Sequence, residues 1–180
     1  MKHHVIGITG HYRSGKDTVC TMMLNILNGT RRSPKWNGET QNKWIRLGFA
    51  DELKRRVAAK LHIPVSGLEE IKNEKPIREL LQKEGEDIHL WDDAVQSRLK
   101  AGLPNNNFIV PDVRYLINGH TIRMFGGAIV RVERPGFFGN NHISEQEQER
   151  IPVDYHICND NTPTKLLNDC KNVLTFLDLI

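Results

Sequence analysis

The sequence predicts a mostly parallel α/β sheet of about five strands with helices on both faces. Three observations carry this. Short β-branched or apolar runs alternate with amphipathic stretches, a glycine-rich turn follows the first run directly, and the later runs end in charged residues. In such a sheet ligands bind beyond the carboxyl ends of the strands, so charge gathered there predicts a binding rim.

The elements follow in order. "HHVIGIT" (3–9) is a short β-branched run, hence a strand. After the turn, "DTVCTMMLNIL" has apolar residues at helical spacing. The polar stretch "NGTRRSPKWNGETQNK" predicts a loop. "WIRLGFA" predicts the second strand and "DELKRRVAAKLH" a helix with Asp51 as its N-cap. "KPIRELLQKEGEDIHLWDDAVQSRLKAGL" predicts two helices broken near Gly85. "NNFIVPDVR" is a buried strand ending in charge, "YLINGHTIRMFGG" a helix, "AIVRVERPG" a strand and "DYHICN" the last strand. A final helix runs from about Pro163 to about Leu177. The first strand then ends at Gly10 and Lys16, the second at Asp51, the third at Asp112 and Arg114, and the fourth at Arg134, all on one rim.

The 180 residues suffice for one domain with a sizeable core, so a single unit spanning 1–180 is expected. Lysine and arginine number 25 against 22 acidic residues, a net +3, which is too balanced for stable nucleic-acid binding. Cys20, Cys158 and Cys170 are odd in number, far apart and without metal-ligand spacing, and the eight histidines show no such spacing either. Reduced core thiols in a cytoplasmic protein are therefore expected. The chain enters its first strand at once and has no run approaching a membrane span, so neither secretion nor membrane insertion is expected.

"GHYRSGKDT" (10–18) has the spacing of a phosphate-binding loop. Gly10 and Gly15 allow the backbone to wrap an anion, so that successive N–H groups, with Arg13 and Ser14 in the loop, meet phosphate oxygens at a helix N-terminus. Lys16 is placed to reach the terminal phosphates. Asp17 stands where a serine or threonine usually holds the metal, with Thr18 one position later. A carboxylate there repels polyphosphate unless a cation intervenes, which predicts dependence on magnesium. A helix-start role through the helix dipole is the competing reading for Asp17.

"GHYRSGKDT", "RLGFADELK", "IRELLQKEGED", "FIVPDVRYLING", "VRVERPG", "NHISE" and "DYHICNDNT" occur in one order along the chain. In this it resembles the bacteriophage deoxynucleoside monophosphate kinase family. The resemblance covers most of the chain and is densest from Phe108 to Thr162. It implies a P-loop nucleotide kinase fold like that of adenylate kinase. The activity it implies is transfer of the γ-phosphoryl of ATP, with Mg2+, to a deoxynucleoside 5′-monophosphate. It also implies an acceptor-binding helical region at about 50–103 and a short lid at about 134–150, to which His142, Ser144 and Glu145 belong. The chain is shorter than those enzymes between the second and third strands, so base preference is not carried over. Nucleotides are the implied partners, and a homodimer is left open.

Joining two anions requires cations that offset charge and hold the acceptor in line, and arginine forks suit that task. Arg78 and Arg114 are assigned to the monophosphate and Arg134 to the transferring phosphoryl; each competes with an ordinary surface arginine. Asp112 is a second candidate to orient magnesium or its water, against a cap for the helix that follows it. Asp51 and Lys54 are candidates for the deoxyribose or phosphate, against a helix ion pair. Gln82 shares the Arg78 helix and joins the acceptor set. Asn159, Asp160 and Asn161 match the turn that holds adenine in related kinases, against a plain Asn/Asp-rich turn capped by Thr162, and Trp91 is placed to stack on the acceptor base or to pack in the core. Dephospho-coenzyme A kinase and a non-catalytic ATP-binding module are the alternatives. A GTPase lacks support, because no guanine-reading "NKxD" element is present.

Overall fold

A computed structural model of the protein describes residues 4–29, 43–103, 105–137, 143–160 and 162–180. Its centre is β1 (Val5–Thr9), every residue of which is buried, as expected for a strand covered on both faces. The chain continues through α1 (Lys16–Gly29), β2 (Lys43–Arg46), α2 (Phe49–Lys60), α3 (Val65–Ile71), α4 (Lys75–Glu84) and α5 (Ile88–Gly102). Then follow β3 (Asn106–Val110), α6 (Leu116–Met124), β4 (Ala128–Glu133), α7 (Ile143–Glu149), β5 (Tyr155–Cys158) and α8 (Pro163–Phe176). The five strands form one parallel sheet in the order β2-β3-β1-β4-β5. This is the α/β architecture the alternation of runs predicts.

Alternate residues of β1 face opposite ways. Ile6 and Ile8 join a core with Val19 and Met23 of α1, Val130 and Val132 of β4, and Leu166 and Val173 of α8. Val5 joins the opposite layer with Val95 and Leu99 of α5, Val110 of β3, Ile122 of α6 and Ile129 of β4. A satellite core of Val57, Ala58 and Leu68 holds α2 and α3 together, with Leu80 and Leu81 of α4 against it. Thus the helical region expected to bind the acceptor has its own small core beside the sheet.

Three local expectations need correction. β2 stops at Arg46, and Phe49 and Ala50 already belong to α2. Gly48, not Asp51, is the N-cap; Asp51 lies in the first turn, where its carboxylate accepts the Gly48 N–H at 3.0 Å. A separate helix, α3, occupies 65–71, where the mixed polar pattern predicted nothing. The expected lid segment contains α7, while residues 138–142, including His142, lie outside the described residues. Among the described residues no helix is long and apolar enough to cross a membrane.

Candidate phosphate-binding site

The loop from Gly10 to Gly15 joins the buried end of β1 to α1. Two of its glycines are required by geometry. Gly10 has φ +139°, and a Cβ there would lie 2.1 Å from the Val132 carbonyl oxygen. Gly15 has φ +102°, and its Cβ would meet the Asn159 side-chain nitrogen at 2.4 Å. Arg13 itself has φ 63°, a left-handed conformation that carries strain outside glycine. The loop is therefore pressed between neighbours and locally strained. Its serine is also unusual: the Ser14 hydroxyl is buried and without a hydrogen-bond partner among the described residues. A buried hydroxyl in that condition costs free energy unless a ligand supplies the bond.

Lys16 bends back over the loop and donates to the carbonyls of Gly10 at 2.5 Å and His11 at 2.7 Å. Burial, with the Arg114 charge nearby, brings its ammonium down to about 8. An anion at the loop would reverse that trend by favouring the charged form.

An open cleft of about 620 Å³ lies at the strand ends, lined by Tyr12, Arg13, Gly15, Lys16, Asp17, Thr18, Arg114, Arg134 and Phe137. Four cationic side chains thus converge on one volume from the ends of β1, β3 and β4. Arg13 stacks over the Tyr12 ring at 5.2 Å and Arg134 over Phe137 at 4.6 Å, contacts that leave guanidinium edges free to donate. Asp17 and Thr18 are exposed in the first turn of α1 at the same cleft.

Several expected site residues have other duties. Asp112 does not line the cleft. Its two oxygens accept the N–H groups of Phe49 at 3.0 Å and Ala50 at 2.7 Å, so it caps α2 rather than the helix after it. Burial pushes its carboxyl above the ordinary range, although those N–H groups favour the ionised form. Asp51 and Lys54 do not pair with each other. Asp51 meets Arg46, which also reaches Asp17 at 3.5 Å, while Lys54 binds Glu69 at 2.7 Å. Lys54 and Lys72 hold the Glu69 carboxyl down to about 2.

Trp91 is buried, and its indole N–H donates to the Glu84 carbonyl at 3.1 Å, which ties α5 to the end of α4. A base cannot stack on a ring enclosed in this way. Arg78 and Gln82 are exposed on α4, outside the residues lining the cleft. Asn159 turns its amide onto the loop, donating to the Ser14 carbonyl at 2.8 Å, and Asp160 pairs with Lys165 at 2.7 Å. Asn161 lies outside the described residues.

Two participants escaped sequence reasoning. His11 Nδ1 lies 2.8 Å from Glu145 of α7, and its Nε2 lies 3.2 Å from Glu149, so the loop is pinned to α7. Burial works to raise the Glu145 carboxyl, but the His11 and Tyr12 N–H contacts outweigh it and hold it below the usual range. Arg131 of β4 anchors the other end of α7 through the carbonyls of Gln148, Glu149 and Ile151. Arg46 is the second, the cation that stands beside Asp17. A signal for both existed: His11 interrupts the glycine loop, and Arg46 closes a strand.

Magnesium is implied by the resemblance, and the donor set agrees with a metal carried mainly by its substrate. Among the described residues no three acidic, histidine or cysteine side chains form a ligand group. The oxygens of Thr18 and Asp17 at the cleft suit a cation that keeps waters and phosphate ligands.

No protein-family profile matches the chain, and no curated protein matches it. Solved structures do. Mycobacterium tuberculosis APS kinase (the CysC Cys556Ala mutant) is similar over 98% of both chains, with 12% identity and a TM-score of 0.55. A shikimate kinase from Bacteroides thetaiotaomicron matches at 14% identity over 97% of this chain and 98% of that one, TM-score 0.47. A dephospho-CoA kinase from Campylobacter jejuni matches at 14% identity over 96% of each, TM-score 0.48. The similarity to the first shows that this chain has the α/β fold of that kinase, with five parallel strands flanked by helices.

Proposed function

We propose that the protein is a kinase that transfers the γ-phosphoryl of ATP to a deoxynucleoside 5′-monophosphate. The observation that carries phosphoryl transfer is the convergence of Arg13, Lys16, Arg114 and Arg134 on the cleft that begins at the glycine loop. The family resemblance of the motifs supplies the acceptor class, and the fold shared with a kinase supports phosphoryl transfer in general. Within this reading the loop N–H groups and the Ser14 hydroxyl receive the polyphosphate, and Lys16 leaves the Gly10 and His11 carbonyls to meet its terminal oxygens. Arg134, from the end of β4, offsets charge on the transferred group. Arg114, from the end of β3, holds the acceptor phosphate in line. Thr18 and Asp17 would hold the magnesium that accompanies ATP, which would supply charge neutralisation. Arg46 keeps the Asp17 carboxylate from opposing the incoming anion.

The direct test is ADP formation by purified protein with ATP and magnesium, offering each deoxynucleoside and ribonucleoside monophosphate separately, and dephospho-coenzyme A as a further acceptor. Turnover dependent on a deoxynucleotide is expected. Turnover with dephospho-coenzyme A alone moves the assignment to that reaction, and ATP binding without turnover on any acceptor makes the protein a binding module.

A further inference from the structure

Asp92 of α5 is 1% exposed and meets no cation among the described residues. Neutral donors satisfy it instead: Asn118 Nδ2 at 3.1 Å, Thr121 Oγ1 at 2.6 Å and Gln96 Nε2 at 2.9 Å. A buried carboxylate is costly, and joining α5 to α6 alone needs only apolar side chains of fitting shape. What a carboxylate adds is polarity. Its Oδ1 accepts from Asn118, itself 3% exposed, so that amide turns its NH2 toward Asp92 and its oxygen the other way. That oxygen accepts the backbone N–H groups of Tyr115 at 3.1 Å and Arg114 at 3.4 Å. The reversed amide would set an NH2 against two N–H donors. Glu147 of α7 accepts the Leu116 N–H at 3.1 Å, so the Arg114 turn is held both by Asn118, which Asp92 of α5 supports, and by α7.

We propose that Asp92, acting through Asn118, is a positioning residue for Arg114. It fixes the orientation of the Asn118 amide and thereby the backbone from which Arg114 reaches into the cleft. In the kinase reading on which this role rests, Asp92 governs acceptor handling and leaves ATP binding alone. It also links the helical region packed beside α5 to the cationic rim.

The test compares Asp92→Asn with Thr121→Val. Asparagine keeps the shape at 92 but has one acceptor oxygen where the carboxylate has two, so its NH2 must oppose either Asn118 or the Gln96 and Thr121 donors, and its hold on the Asn118 amide weakens. Valine at 121 removes a hydrogen bond from the same carboxylate without touching the Arg114 turn. Asp92→Asn is expected to lower kcat/KM for the acceptor between about tenfold and a hundredfold, with ATP affinity unchanged. Thr121→Val should lower thermal stability while leaving acceptor kcat/KM unaffected. In an Arg114→Ala background Asp92→Asn should add no further loss. Equal catalytic effects of the two substitutions, or full additivity with Arg114→Ala, would overturn the relay.

A second readout does not depend on turnover. The rate at which phenylglyoxal modifies Arg114, followed by peptide mass spectrometry, should change several-fold in Asp92→Asn and not in Thr121→Val, with Arg134 constant in both. If the wild type phosphorylates no acceptor, the kinase reading fails, and this rate still decides the relay: an unchanged Arg114 rate overturns it.

Discussion

Asn159, at the end of β5, donates its side-chain amide to the carbonyl of Ser14 at 2.8 Å, and Gly15 leaves the room that this contact needs. The last strand therefore braces the phosphate loop. Asn159→Ala is expected to cost about 1 kcal/mol of stability and to weaken ATP and inorganic pyrophosphate alike, as read by calorimetry. Were Asn159 an adenine contact, the substitution would instead erase discrimination between ATP and GTP and leave pyrophosphate binding intact. Gly15→Ala should be the harsher change, because it forces both a strained φ and a displaced Asn159.

Lys16 links the loop to pH. Its ammonium is brought down to about 8 in the folded protein against an ordinary 10.5, so the unfolded chain holds that proton more tightly. The sign follows: below about 8 the buried charge works against the fold, and this loss is relieved as pH rises toward 10.5. Lys16→Ala should flatten that part of the stability profile and nearly abolish turnover while the fold persists. In the wild type, ATP binding above about pH 8 should take up a proton, seen as a dependence of binding enthalpy on the buffer's ionisation heat. No proton uptake would mean that the lysine does not meet the phosphates.

Asp112 gives a contrast between two roles. As a cap on α2, it should tolerate replacement by asparagine with modest loss, since an amide oxygen still accepts one N–H, whereas Asp112→Ala should cost about 1–2 kcal/mol in chemical denaturation. The magnesium dependence of turnover should be unchanged in Asp112→Asn. A shifted magnesium titration would restore the metal role that its sequence position first suggested.

The thiols are easily counted. Cys20 and Cys170 are buried, and burial pushes both up to about 12, whereas Cys158 is exposed at the end of β5. One thiol should react with Ellman's reagent in the native protein and three after denaturation. Cys158 should react slowly for an exposed thiol, because partial burial and the Asp160 charge raise it. Three fast thiols in native buffer would contradict the packing of α1 and α8.

The strands and the glycine loop were legible because their signals are local: β-branched runs in sequence, and a spacing that leaves room for phosphate. The cationic rim was legible too, since strand ends point one way in a parallel sheet, Arg134 stands directly after β4 and Arg114 lies in the turn that follows β3. What could not be read were the partners of polar side chains, which depend on distances between segments far apart in the chain. Asp112 looks like a metal carboxylate until Phe49 and Ala50 are brought to it; Asn159 looks like a base contact until Ser14 is. Trp91 packs in the core, the second of the two readings open for it, and the choice rested on tertiary contact, because an aromatic residue on an amphipathic helix carries no mark of which helix will cover it. α3 was missed since seven residues with a single buried leucine give too little periodicity to detect.

The strand order also bears on synthesis. β1 pairs on one side with β3, Val5 opposite Phe108, and on the other with β4, Ile6 opposite Ala128. β1 thus waits, unpaired and apolar, until the strands on either side of it have been translated. Contacts so distant in sequence slow folding and leave a sticky segment exposed meanwhile. The phosphate loop is accordingly made well before the strands that fix its shape.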